Sequence, residues 1–600
     1  MTKHDFPIQY EVSLSSIAGH LFDVSLYIHS PNIAGQRLSL PAWIPGSYMI
    51  RDFAKHLISL TAMDSQGNSL QVSKLDKQTW QVTPTKNPIT IKYQLYAFDL
   101  SVRGAYINDQ YGFFNGSNIF LEVQGQSNSP CLLRINKAEN LFCNYRVSTT
   151  MSYLSNQTEL NADLYEAQNY AELIDHPVLM GGFDSLSFKI ADIDCELVFA
   201  GGHQSDMQRI ADDLSLLCQQ HIELFGSSAP IKRYVFITLL TDAAFGGLEH
   251  RASTALMYAR NDLPGFDEST IPSDTYRNFL SLCSHEFFHT WHVKRIRPIE
   301  LVEGTLADET YTEQLWIYEG FTSYYDDLLV QRSNIIPVEN YLSVVAQNLT
   351  RLQRNIGRTK QTITASSFDA WTKFYKQDES AINNIVSYYN KGAIVALCLD
   401  LAIRLASKQH YSLDSVMQIL WRDFGKTAKA TPKTVIHDIL QQDLQLNIEN
   451  YFDLDKALYS TEELPVARLL KEFGVLVNYR AKTDLNDKGG NAATKVTKHD
   501  FGAQFKALNI GIEITQVAEQ SSAYDAGILV GDIVVAIDNW QVNATNVLNM
   551  VDRLKDNTPV RVSLFRDKRL LQVMLDVRPA PLDTVYLSIE NSEKMQLWLQ

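Results

Sequence analysis

The sequence predicts a multidomain α+β protein: a β-rich domain at residues 1–180, a mainly helical domain at 181–480 and a β-rich module at 501–582. Three observations carry this. Six hundred residues exceed what one hydrophobic core organises, so several domains are required. The first 180 residues alternate apolar and polar side chains between frequent turn signals, the pattern of half-buried strands. From about 335 to 470, apolar positions recur at helical spacing.

In the first domain, YEVSLSS, FDVSLYIH, ITIKYQLYAF and NIFLEV all read as strands. Between them, Pro41 to Asp52 holds two prolines and a glycine beside Trp43 and Tyr48, which suits either a rigid packed corner or a functional loop. From 181 the pattern is mixed. LSFKI and DCELVFA read as strands, Gln204 to Phe225 as an amphipathic helix, and Arg233 to Leu240 as a buried strand. Residues 481–500, polar with paired glycines, read as a linker or surface insertion, and 583–600 as an amphipathic tail.

Composition narrows the function classes. A net charge of -15 argues against nucleic acid or an anionic membrane as the main partner. No segment reaches the ~18 apolar residues of a membrane span, and the first residues lack a signal-peptide pattern. A cytoplasmic protein is expected. The six cysteines, Cys131, Cys143, Cys195, Cys218, Cys283 and Cys398, are scattered without paired spacing and read as buried thiols.

The chemistry is concentrated in Ser284-His285-Glu286-Phe287-Phe288-His289-Thr290-Trp291, inside a run from Tyr276 to Lys294 free of Pro and Gly. On a helix, side chains four apart lie on one face, so His285 and His289 converge. Two imidazoles at this HExxH spacing suit Zn²⁺, and Glu286 stands where it can serve as general base to water that zinc acidifies. Two core histidines could share the spacing by accident, but the apolar helix and the residues downstream favour the metal. A catalytic zinc takes three protein ligands and keeps one position open. Asp308 and Glu309 lie nineteen and twenty residues after His289, in a polar stretch. Glu319 lies thirty after it, within the expected helix from Glu313 to Val330, among Leu315, Trp316, Ile317, Phe321 and Tyr324. A carboxylate buried there needs a cation, so Glu319 is preferred and Glu309 is the rival. His292, a turn beyond, reads as a packing or supporting histidine. Upstream, Gly246 and Gly247 suit either a plain turn before a strand or, given the metal helix about 35 residues later, a backbone that comes close to a ligand while Glu249 points into the site.

HEFFHTWHVKRIRP followed by LWIYEGFTSYYDDLL resembles the glycyl aminopeptidase family of zinc peptidases, with PAWIPGSYMIRDF near the start in keeping. Ala526 to Asp538 matches the core motif of PDZ domains, and Ile510 to Ile514 resembles their peptide-binding strand. The resemblance implies a gluzincin with a thermolysin-like catalytic domain and one zinc per chain on His285, His289 and Glu319, with Glu286 as general base. It also implies that Glu249 binds the substrate's free α-amino group and that Tyr389 donates to the oxyanion, with Tyr388 beside it as the alternative. The expected partners are peptides with a free N-terminus and small first residues, Gly or Ala. The PDZ domain is expected to bind a peptide or to dock on its own chain. A zinc endopeptidase and a non-catalytic PDZ scaffold are the other readings. Glu249 speaks against the first and the intact catalytic set against the second.

Overall fold

A computed structural model describes residues 6–138, 142, 144–154, 161–226, 228–556 and 558–600, and Cys143 lies outside them. The chain forms two compact units, 1–310 with 420–431, and 311–419 with 432–600, so the division falls inside the segment 181–480. No helix among the described residues is long and apolar enough to cross a membrane.

The first unit begins with an eight-stranded sheet whose central strands, Ile8–Ser16, Leu21–Ile28 and Ile89–Tyr96, are those the alternation predicts. NIFLEV departs from expectation. It folds as a single helical turn, Gly116–Ile119, and a two-residue strand, Glu122–Val123. Ile119, Phe120 and Leu121 are consecutive and all fully buried, so this stretch is wrapped on every side and has no solvent face to alternate with.

The same unit contains a five-stranded sheet in the order Asp184–Ile190, Ile193–Ala200, Arg233–Thr241, Ser253–Ala259, Gly246–Glu249. Arg233–Thr241, flanked by parallel neighbours, is apolar along its length because it is covered on both faces. Gly246–Glu249 turns back antiparallel and forms the edge. The helix Met207–Leu224 and the helix Asp274–Phe288 pack beside this sheet, and His221 of the first bonds the carbonyl of Ser284 in the second at 3.0 Å. The described cysteines are buried thiols, and burial pushes those of Cys131 and Cys195 up to about 12.

In the second unit, the stretch expected as one helix is two, Leu315–Tyr318 and Gly320–Arg332, with Glu319 at the break. The helix Asn390–Ala406 crosses Gly320–Arg332 glycine on glycine. A Cβ at Gly320 would stand 2.6 Å from the Gly392 Cα. Farther on, strands Val475–Arg480 and Thr584–Ile589 pair antiparallel and bracket the PDZ domain, and Val585 N–H donates to Thr350 Oγ1 at 2.8 Å. Within the PDZ domain, Gly511–Val517 is paired on both sides, by Ala503–Leu508 and by Ile533–Ile537. The strand that resembles a peptide-binding edge is therefore interior, and the edge beside it is Ala503–Leu508, with Arg569–Leu575 ending the sheet on the far side.

The glycine crossing yields a prediction. Gly392→Ala overpacks it and should lower the unfolding free energy by about 1–3 kcal/mol, read by denaturant or thermal melts. An unchanged stability would show that the helices can part without cost.

Candidate metal centre and substrate site

Ser273 caps the helix Asp274–Phe288 by accepting from the Tyr276 N–H at 3.1 Å. The helix was expected to run to Lys294, and it stops six residues earlier. His289 is its last cap, still bonded to the His285 carbonyl at 3.3 Å. Beyond it the chain folds back through Val293, held at φ 103°, a region that β-branched residues avoid. The fold-back brings the His292 carbonyl to His289 Nδ1 at 2.7 Å. His292 thus meets His289 through its backbone, while its ring packs edge-on against Phe288. With Nδ1 donating to that carbonyl, His289 has Nε2 left for a ligand.

His285, His289 and Glu319 each offer a ligand atom, and these atoms lie within 4.8 Å of one another. The donor set, two imidazoles and a carboxylate, fits a catalytic zinc with one position open. Glu319 is 2% exposed, whereas Asp308 is in the open and its carbonyl accepts from Trp43 Nε1 at 3.0 Å. Glu309 is not part of the cluster.

Glu286 and Glu249 are 5% and 4% exposed. A glycine makes room for each. A methyl group on Gly247 would land on the Glu286 carboxylate, and one on Gly46 would land on that of Glu249. Gly46 sits at φ 98° in the turn Ile44-Pro45-Gly46-Ser47, closed by Ser47 N–H to the Ile44 carbonyl at 3.0 Å. Proline then glycine in a turn of this kind is the type II pattern. Pro41 to Asp52 is therefore both a packed corner and a wall against Glu249. Oε1 of Glu249 is buried without a hydrogen-bond partner among the described residues. Gly246 lies at the start of the same edge strand with open space over its Cα, and Arg103 donates to the Gly247 carbonyl at 3.3 Å.

Tyr389 caps the helix Asn390–Ala406 and is half-buried, while Tyr388 is fully buried. Their rings stack at 4.8 Å, and Phe374 stacks on Tyr389 at 5.5 Å. Burial, then the charge of Glu319 and the neighbouring Tyr375 and Tyr388, hold the Tyr389 phenol well above its ordinary value, so it keeps its proton.

No local pattern points to Asp175 and Lys294 as partners. Lys294 Nζ lies 3.1 Å from Asp175 Oδ1, and His250 Nδ1 lies 3.6 Å from the same oxygen. Arg251 N–H donates to Oδ2 at 2.8 Å. The cluster ties the chain after the metal helix to the residues following Glu249. Burial works against ionisation of Asp175, but Lys294 and His250 outweigh it and hold the carboxyl well below the carboxylate range. Burial keeps His250 neutral, so Lys294 is the facing cation.

Comparison with known proteins bears on the family of the chain. Residues 9–182 match the Peptidase M61 N-terminal domain, 278–395 the M61 glycyl aminopeptidase family and 499–577 the PDZ domain. A crystal structure of an aminopeptidase N family protein from Idiomarina loihiensis is similar over 99% of this chain and 100% of its own, at 41% identity and a TM-score of 0.94. The chain belongs to the M61 glycyl aminopeptidase family. Membership makes it a metallo-aminopeptidase. An M1 zinc metallopeptidase from Deinococcus radiodurans is 12% identical over 77% of this chain and 95% of its own, with a TM-score of 0.47, a likeness too slight to bear on the site. No curated protein matches.

Asp175→Asn leaves Lys294 buried and unpaired, which should cost about 3–5 kcal/mol of stability. A depressed carboxyl stabilises the fold above its unfolded pKa of ~3.9 and loses that effect as pH falls towards its folded value. The gap between wild type and variant in denaturant melts should be constant from pH 5 to 8 and shrink below about 4. A gap independent of pH would contradict the charge assignment.

Proposed function

We propose that this chain is a zinc-dependent aminopeptidase that removes small N-terminal residues, Gly or Ala, from peptides. The observation that carries the exopeptidase reading is Glu249: a buried carboxylate with one oxygen unpartnered among the described residues, walled by Gly46. Such a group calls for a cation, and the ammonium of a free N-terminus supplies one. An endopeptidase would have to bury an uncharged stretch of chain against it.

His285, His289 and Glu319 would hold the metal. Bound zinc acidifies water and polarises a carbonyl. Glu286 takes the proton from the attacking water and returns it to the leaving amine. Tyr389, kept protonated, donates its hydroxyl hydrogen to the oxyanion that forms on the scissile carbonyl. Glu249 fixes the ammonium, so the cut falls after the first residue. Small first residues follow from family resemblance and from the Gly46 turn, which closes the space against Glu249. The PDZ domain would accept a peptide beside its edge strand Ala503–Leu508.

The test is hydrolysis of Gly-, Ala- and Leu-anilides and of an N-acetylated peptide, with and without chelator. Wild type should cleave only free-amine substrates, and chelator should abolish the activity. Glu286→Gln should lower kcat by ~10²–10⁴-fold, the usual contribution of a general acid–base group. Glu249→Ala should cost ~10²-fold in kcat/KM through the lost charge pair. Cleavage of the blocked peptide would move the assignment to an endopeptidase.

A further inference from the structure

A cavity of about 680 Å³ lies within the 311–419 and 432–600 unit, between its helices and the PDZ domain. Its size falls in the range of small-ligand sites, ~300–1,000 Å³, enough for a few residues and too small for a folded partner. One end abuts Tyr389: Phe374, which stacks on the Tyr389 ring, and Asn390, the next residue in the chain, both line it. The PDZ domain closes another side with Gln504 and Gln516, paired in register on neighbouring strands. The domain is held there by reciprocal bonds, Asn383 Nδ2 to the Val517 carbonyl and Glu519 N–H to Asn383 Oδ1, both 2.9 Å, and by Lys360 on Glu519 at 2.6 Å.

The polar groups of the cavity are unevenly satisfied. Arg354 is engaged by Asp583 at 3.1 Å, and Asp487 by Arg480 at 3.1 Å. Arg351 and Lys488 have no ion pair or hydrogen bond among the described residues, so the wall carries an uncompensated positive charge. Asn390 donates Nδ2 to the Asn348 carbonyl at 3.0 Å, while its Oδ1 is buried with no donor among the described residues. A buried acceptor of this kind costs stability until a donor arrives. A ligand that fits therefore brings an N–H near Tyr389 and a carboxylate towards Arg351 and Lys488.

We propose that this cavity receives the C-terminal end of a short peptide substrate, with a backbone N–H on Asn390 Oδ1 and the α-carboxylate on Arg351 and Lys488. The proposal rests on the aminopeptidase reading and narrows its substrates to oligopeptides of a few residues with a free C-terminus. It also gives the PDZ domain a task besides strand pairing: Gln504, on the edge strand Ala503–Leu508, and Gln516 wall the site that measures the substrate.

The test uses the full chain supplied with zinc. Ala-Ala-Ala and Ala-Ala-Ala-Ala are compared with their C-terminal amides, and with Ala-anilide as a measure of aminopeptidase activity alone. Wild type should favour free acid over amide by roughly tenfold in kcat/KM, through KM, the worth of one charge-assisted contact. In R351Q/K488Q that ratio should fall to near one. A ratio near one in wild type would overturn the proposal without any variant, and so would a ratio preserved in R351Q/K488Q. Either result with Ala-anilide still cleaved leaves the aminopeptidase reading standing. Failure to cleave Ala-anilide and every peptide would overturn both.

Discussion

Glu249, Glu286 and Glu319 are all withdrawn from water, and a carboxylate so placed costs several kcal/mol unless a cation or donors compensate it. That constraint accounts for features that otherwise look unrelated. The edge strand carries Gly247 because the Glu286 carboxylate occupies the place a side chain would take. The proline–glycine turn at Pro45-Gly46 leaves room for Glu249. The glycine pair Gly320 and Gly392 lets two helices cross closely at the ends where Glu319 and Tyr389 sit. In each case a glycine gives space to a charge or a phenol whose natural complement, metal ion, ammonium or oxyanion, belongs to the chemistry.

Much of this was legible in the sequence because it is local. Spacing places His285 and His289 on one face, and the apolar surroundings of Glu319 distinguish it from Glu309, which lies in a polar stretch. The strands of the first domain follow their alternation. The local pattern misleads where a long-range contact overrides it. The metal helix lacks a breaker, yet it ends at Phe288 because the His292 carbonyl is drawn back to His289. NIFLEV has strand-like composition, but burial on all sides removes the periodicity that would mark it. In the PDZ domain, the order of strands in the sheet, which no short motif encodes, decides that Ala503–Leu508 rather than Gly511–Val517 is an open edge. Asp175 and Lys294 are separated by over a hundred residues, and only the fold makes them partners.

The PDZ domain is built into the second unit rather than hung from it. Its two ends emerge from the paired strands Val475–Arg480 and Thr584–Ile589. Between these and the domain, Gly489 and Gly490 press against Thr350 and Ser343 of the helix Val338–Arg354. A module tied at both ends and bonded through Asn383 and Lys360 has its orientation fixed by the catalytic helices, as one wall of a binding cavity requires.

The central claim, that the buried Glu319 completes a metal site with His285 and His289, is tested most directly by anomalous diffraction. Crystals of the full chain would be grown with one equivalent of zinc and data collected on both sides of the zinc edge. The account predicts one strong peak per chain within about 2.0–2.2 Å of His285, His289 and Glu319. A peak bound through Glu309 or Asp308, or no peak at these histidines, would contradict it.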